Sequence, residues 1–148
     1  MRQLVYTMQL TGQATPLGPD GSVLAIEGTA PGWTVLAHVG AANPTSGVDF
    51  SEHGGATFTS ELTLTGTTSY QEVGSVTFGA GHRLRFATVG SGYLGPGATS
   101  ADRHGAALWR IDGGDGQFAG AGGLISAQIV VDAALTMTGY HLGVLVVP

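Results

Sequence analysis

Between Thr57 and Val89, apolar and polar residues alternate with a period of two through three successive runs. In the first, Phe58, Ser60, Leu62 and Leu64 share one face, while Thr57, Thr59, Glu61, Thr63 and Thr65 share the other. Successive side chains of a strand point to opposite faces. The pattern therefore predicts a strand with one packed face and one wet or subunit-covered face. Gly66-Thr67-Thr68 breaks the run, and Tyr70, Glu72, Gly74, Val76 and Phe78 then form one face of the next. After Gly79-Ala80-Gly81, Leu84, Phe86 and Thr88 oppose Arg83, Arg85 and Val89. Three strands joined by three-residue turns make an antiparallel meander.

The same period recurs along the chain and marks roughly nine strands. They are Gln3–Thr11, Ser22–Thr29, Trp33–Gly40, Thr57–Thr65, Ser69–Phe78, His82–Gly90, Gly105–Ile111, Leu124–Val131 and Leu135–Val147. No segment keeps helical periodicity over ten residues, although a single helical turn fits near Gly116–Ala121. Two irregular segments, Ala41–Gly55 and Gly92–Arg103, are rich in proline, glycine and small polar residues. Loops of that length in a compact domain often carry function. An open meander leaves two exposed edges, and closure removes both. The expected fold is all-β: one domain over residues 1–148, a closed antiparallel barrel of eight to nine strands, mostly up-and-down. A sandwich is the alternative.

Only 10% of the 148 residues are charged, whereas 43% are hydrophobic. A usual charged share is roughly 25%. Such a chain can bury a core but has few charges to solvate its surface, so a homo-oligomer is expected. Ten acidic against five basic residues give a net charge of -5 and leave no basic patch, which argues against nucleic acid as a partner. The absence of cysteine excludes disulfides, thiolate catalysis and zinc–thiolate sites. No run of about 18 apolar residues suggests a membrane partner. The N-terminus enters an alternating pattern at once, unlike a signal peptide, so a cytoplasmic location is expected.

The run Gly113-Gly114-Asp115-Gly116-Gln117-Phe118-Ala119-Gly120-Ala121-Gly122-Gly123 is too glycine-rich to continue either flanking strand. It reads as a tight, shaped turn, with Phe118 anchoring it to a core. A phosphate-binding reading fails: Ala119 stands where a strict GxGxxG needs its third glycine, and no helix of useful length follows. The run instead resembles the "GGTGRFAGARG" turn of the allene oxide cyclase-like barrel superfamily, a calycin-like group that includes the dirigent proteins. It follows a strand ending in Trp109-Arg110-Ile111 and precedes Leu124-Ile125-Ser126-Ala127-Gln128-Ile129-Val130; the likeness spans about Thr57–Val131. The resemblance implies an eight-stranded antiparallel barrel with an apolar interior cavity, often assembled as dimers or trimers. Plant allene oxide cyclases use a buried glutamate and a polar water-holding group. No motif for those residues is matched here, so no catalytic role is carried over.

Among the carboxylates, Glu72 shares its face with Tyr70, Val76 and Phe78, and Glu27 shares its face with Val23 and Ala25. A carboxyl among apolar neighbours has a raised pKa and can serve as a general acid or base, unless it faces solvent or pairs with an arginine. Arg83 and Arg85 lie opposite Leu84 and Phe86, which favours an outward, salt-bridging role for them and for Arg110 over an interior anion site. His38, His53, His82, His104 and His141 form no paired ligand motif, and no metal or other cofactor is expected. His104, in Asp102-Arg103-His104 at a strand start, and His141 beside Tyr140 are the better acid–base candidates. No GxSxG elbow supports a covalent hydrolase.

The expected catalytic set is thus Glu72, His104, His141 and Tyr140. Tyr6, Trp33, Tyr70, Tyr93, Phe86 and Trp109 form the set that would line an apolar pocket for a small hydrophobic molecule. Three functions fit. The first is a cofactor-independent isomerase or cyclase that folds a hydrophobic substrate and moves a proton. The second is a non-catalytic binder using the same cavity. The third is an oligomeric interaction module whose barrel is filled by its own side chains.

Overall fold

The computed structural model describes residues 1–39, 55–99 and 101–148, with the side chains of 33–39 outside that description. Its strands are β1 Arg2–Leu17, β2 Val23–Ala30, β3 Trp33–Val39, β4 Ala56–Leu64, β5 Ser69–Phe78, β6 Arg83–Thr88, β7 Gly92–Pro96, β8 Arg103–Asp115, β9 Gly122–Val131 and β10 Thr136–Val147. All pairings are antiparallel, and β10 returns to β1 along a register from Arg2↔Val147 to Gln13↔Thr136. The sheet is therefore closed, with neither of the two edges an open meander would expose.

Ten strands fill eight positions in the barrel. β2 pairs with Thr11–Leu17 of β1, and β3 pairs with Gln3–Met8 of the same strand. They form one position interrupted at Pro31-Gly32. Likewise β6 and β7 both lie between β5 and β8, interrupted around Val89–Ser91. β7 corrects the expectation that all of Gly92–Arg103 is irregular. Five residues ending in Gly95-Pro96 are too short to show alternation, and the proline, which lacks an N–H, sits where the strand ends. The other segment expected to be irregular, Ala41–Gly55, lies outside the described residues up to residue 54.

The glycine-rich run divides among three elements. Gly113–Asp115 finish β8, Gly116–Phe118 make a single 3-10 turn, and Gly122–Gly123 open β9. Gly116 has φ +63°, and a Cβ there would overlap the Gly81 carbonyl and His82 Nδ1. That close approach lets the Gln117 N–H donate to His82 Nδ1 at 3.1 Å, tying this turn to the β5–β6 turn. The turn closes one end of the barrel with Phe118, whose ring centroid lies 5.3 Å from that of Phe78. Phe78 in turn meets Tyr6 edge-on at 5.9 Å.

Above this plug, aromatic rings cross the barrel. Phe86 stacks on Trp109 at 4.0 Å, and Phe58 reaches over to Phe86 and Trp109 at 5.6 and 5.8 Å. Glycines make room where rings need it. A side chain at Gly143 would run into the Tyr6 ring, and one at Gly92 into the Tyr70 ring. Large and small residues thus interlock across the interior, as close packing requires. Among the described residues, no helix is long and apolar enough to cross a membrane.

Candidate functional site

Glu72 points into the barrel because its strand alternates without a break: Tyr70, Glu72, Val76 and Phe78 are all buried, and Gln71 and Val73 face out. It is 3% exposed. Ser60 on β4, opposite Gly74 and so diagonal to Glu72, donates from Oγ to Glu72 Oε1 at 2.6 Å. The backbone is held as well. Glu72 N–H donates to Thr88 Oγ1 at 2.9 Å, and that hydroxyl donates to the Glu72 carbonyl at 3.1 Å. Burial pushes the Glu72 carboxyl up to about 7, against the opposing pull of the Ser60 hydrogen bond. The group is therefore poised between its acid and base forms near neutral pH.

His141 is the second interior ionisable group. It is buried on β10, with Phe58 at 5.6 Å and Trp109 edge-on at 4.9 Å between ring centroids. Burial pushes its imidazole down to about 4, so it stays neutral at physiological pH. Its Nδ1 and the Nε1 of Trp109 are buried without a hydrogen-bond partner among the described residues. Tyr6 and Tyr70 are also interior, and burial raises the phenol pKa of each; for Tyr70 the neighbouring Glu72 charge adds to the effect.

Glu72, Tyr70, Trp109 and His141 line one interior cavity together with Leu10 and Met137. Its volume is about 10 Å³, room for about one water molecule. Among the described residues, side chains fill the space around it, and no interior cavity of the substrate size that an apolar-interior barrel would imply is seen. Grooves of about 520 and 590 Å³ do exist, but they are open and lie on the outer wall.

The expected site residues divide between the two faces. Glu72, His141, Tyr6, Tyr70, Phe86 and Trp109 are inside. Tyr140 and Tyr93 are outside, 46% and 55% exposed, and His104 is exposed at the start of β8. Tyr140 precedes His141 on one strand, so the pleat that buries one must expose the other. Tyr93 and His104 lie on the short β7–β8 ladder, one strand residue from buried Leu94 and half-buried Gly105 respectively. Trp33 lies on β3, and its side chain is outside the described residues, as is His38's; His53 is outside them altogether. Glu27 faces solvent.

Arg83 and Arg85 point outward and share Asp115, at 2.7 and 2.9 Å, and Arg110 pairs separately with Asp112 at 2.7 Å. The hydrogen bonds from Arg85 and Arg83 hold the Asp115 carboxyl below its ordinary range. These exposed pairs brace the wall and leave the interior free of fixed cations. Ser60, Thr88 and the unsatisfied indole of Trp109 were not singled out by sequence. Ser60 was legible as a polar residue on the packed face of Thr57–Thr65. Among the described residues, no group of three or more His, Asp or Glu side chains converges as metal ligands would. The chain matches no known family model, curated protein or solved structure.

Proposed function

We propose that the barrel is a cofactor-independent isomerase or cyclase for a small hydrophobic molecule, with Glu72 taking and returning a proton. The supporting observation is the burial of this carboxyl in an apolar barrel, with a pKa of about 7 and a single side-chain hydrogen bond. Burying an ionisable group weakens a fold that a leucine would fill better, and perturbed groups of this kind gather at sites of chemistry. The barrel closure and the Gly113–Gly123 turn are also what a relationship to the allene oxide cyclase-like barrels would rest on. That group includes cyclases, and the plant enzymes use a buried glutamate.

A molecule larger than water enters only by displacing side chains. Leu10 and Met137 border the cavity, and methionine repacks easily. The small interior volume favours a second reading, in which the filled barrel acts only as an interaction module. Native mass spectrometry of protein purified from its own host, followed by incubation of any captured molecule in D₂O, separates the two. Wild type is expected to release the molecule isomerised, with deuterium on carbon, whereas Glu72→Gln binds it unchanged. Binding without deuterium in wild type would make the protein a binder, and an empty barrel inert in D₂O would support the filled module.

A further inference from the structure

Two polar groups of residues lining the cavity beside Glu72 have no partner among the described residues. Trp109 Nε1–H is a donor only, and a buried donor without a partner is costly enough that a plain core would place phenylalanine there. His141 lines the same void, and its Nδ1 is buried without a partner among the described residues. In one neutral tautomer it is a second donor. The indole and imidazole rings meet edge-on at 4.9 Å, so both flank the same space. That space, of about 10 Å³, suits one oxygen atom rather than a whole ligand.

The chemistry of the lining narrows the ligand. An anionic oxygen in the resting substrate would sit beside the Glu72 carboxylate and be repelled, and an ammonium would meet two donors. A neutral acceptor oxygen satisfies both donors and leaves Glu72 free. We propose that the site takes an unsaturated carbonyl compound (an enone or its β,γ-unsaturated isomer), its oxygen seated on Trp109 Nε1–H and His141 Nδ1–H and its acidic C–H turned to Glu72. This rests on the reading of Glu72 as the proton carrier. The Glu72 carboxylate takes the proton from the carbon next to the carbonyl or its conjugated extension. The C–H electron pair becomes a new C=C bond, any C=C already lying between that carbon and the carbonyl shifts by one bond, and the carbonyl π pair moves onto oxygen as a dienolate. Trp109 and His141 hold that charge. Glu72 then returns its proton to a different carbon as the electrons flow back, so the product is an isomer and nothing is oxidised or reduced. Being neutral, His141 donates a hydrogen bond without surrendering its proton.

Cyclohex-2-enone in D₂O, with the protein carrying ¹⁵N-labelled indoles, tests this seat. The Trp109 indole N–H signal is expected to shift on titration, and wild type to speed deuterium exchange at the enone's acidic carbons. Trp109→Phe retains an aromatic ring against Phe86, and its fold is checked by circular dichroism. It is expected to lower kcat for exchange by about 10²-fold, the effect of losing one oxyanion donor, with a smaller change in KM. Exchange that survives in Trp109→Phe but vanishes in Glu72→Gln overturns the carbonyl seat and leaves the Glu72 reading standing. An indole shift without exchange in wild type supports the seat and overturns the Glu72 reading. No shift with the enone in large excess overturns the seat.

A separate observation concerns the outer wall. Leu108, Leu124, Tyr140, Leu142 and Val144 are all exposed and lie on adjoining strands β8, β9 and β10. Neither β9 nor β10 contains a charged residue. β1, beside β10, adds outward Val5, Thr7 and Gln9. We infer that this face binds a second copy of the chain about a two-fold axis. Two copies of a protein of net charge -5 repel each other least where the contact carries no net charge, and Arg110 and Asp112, which border this face at Leu124, are already paired with each other. Four strands about 4.8 Å apart and about ten residues long offer roughly 600 Å² of footprint before side-chain relief, near the ~800 Å² per partner of a stable interface. Sedimentation velocity is expected to show a dimer that Leu142→Glu converts to monomer with its circular dichroism unchanged. Val73→Glu, on β5, is expected to leave the dimer intact. A monomeric wild type, or a Leu142→Glu protein that stays dimeric, overturns the interface.

Discussion

Glu72→Gln is expected to give a protein whose stability rises by on the order of 3 kcal/mol between pH 4 and pH 6.5, where wild type stays nearly flat. The reason is a pair of opposed proton linkages in one interior. Glu72 changes from an ordinary value of 4.5 to about 7 on folding, so the folded state holds its proton where the unfolded chain has lost it. Its contribution is fully present below pH 4.5 and is lost as pH rises to about 7. His141 changes from 6.5 to about 4, so the unfolded chain binds a proton that the folded state refuses. Its contribution is present above pH 6.5 and is lost as pH falls to about 4. Between pH 4.5 and 6.5 the two slopes have opposite sign and similar size, and they cancel. Removing one exposes the other: His141→Phe should lose on the order of 3 kcal/mol from pH 4.5 to 7. Urea midpoints across pH 4–8 measure all three proteins. Variants whose profiles run parallel to wild type would show that these groups do not titrate as a buried pair.

Phe118→Ala is expected to destabilise the barrel by about 3–5 kcal/mol, the range for emptying a buried phenylalanine site. Phe118 is 1% exposed and fills the closed end against Phe78, which carries the contact on to Tyr6. The turn around it has little freedom to collapse into the hole. A side chain at Gly114 would already crowd Phe118, and Gly116 is pressed against the β5–β6 turn. Urea unfolding of Phe118→Ala beside Gln117→Ala, a half-buried neighbour in the same turn, gives the comparison. A loss below about 1 kcal/mol for Phe118→Ala, outside the range for such sites, would mean that the ring is not the plug.

How far the site could be read from sequence follows from how clean each strand's alternation is. β5 alternates sharply, so the inward direction of Glu72 followed from Tyr70, Val76 and Phe78 alone. β10 does not. Tyr140, Leu142 and Val144 on one face and His141, Gly143 and Leu145 on the other give no polar contrast, because its outer face is itself apolar. Tyr140 and His141 therefore looked equivalent until pairing with β9 and β1 set the register. A shift of one residue exchanges every side chain between core and surface. β7 was hidden for a different reason: five residues carry no period of their own, and the connection over 97–102 between β7 and its partner β8 reads as loop composition.

By itself the sequence determined the all-β class, the mostly up-and-down order and the role of Gly113–Gly123 as a turn anchored by Phe118. These follow from period-two patterning and glycine placement, both local properties of the chain. Closure, which sequence left open beside a sandwich, came from the pairing of β10 with β1. Whether the barrel is hollow was left to the tertiary structure. Interior volume depends on which rings face one another across the barrel, and Phe58, Phe86 and Trp109 meet from three separate strands. The same convergence brings Glu72 and His141 to one cavity from positions 69 residues apart in the chain. Burial in that shared interior, a property of no single segment, moves their proton affinities in opposite directions.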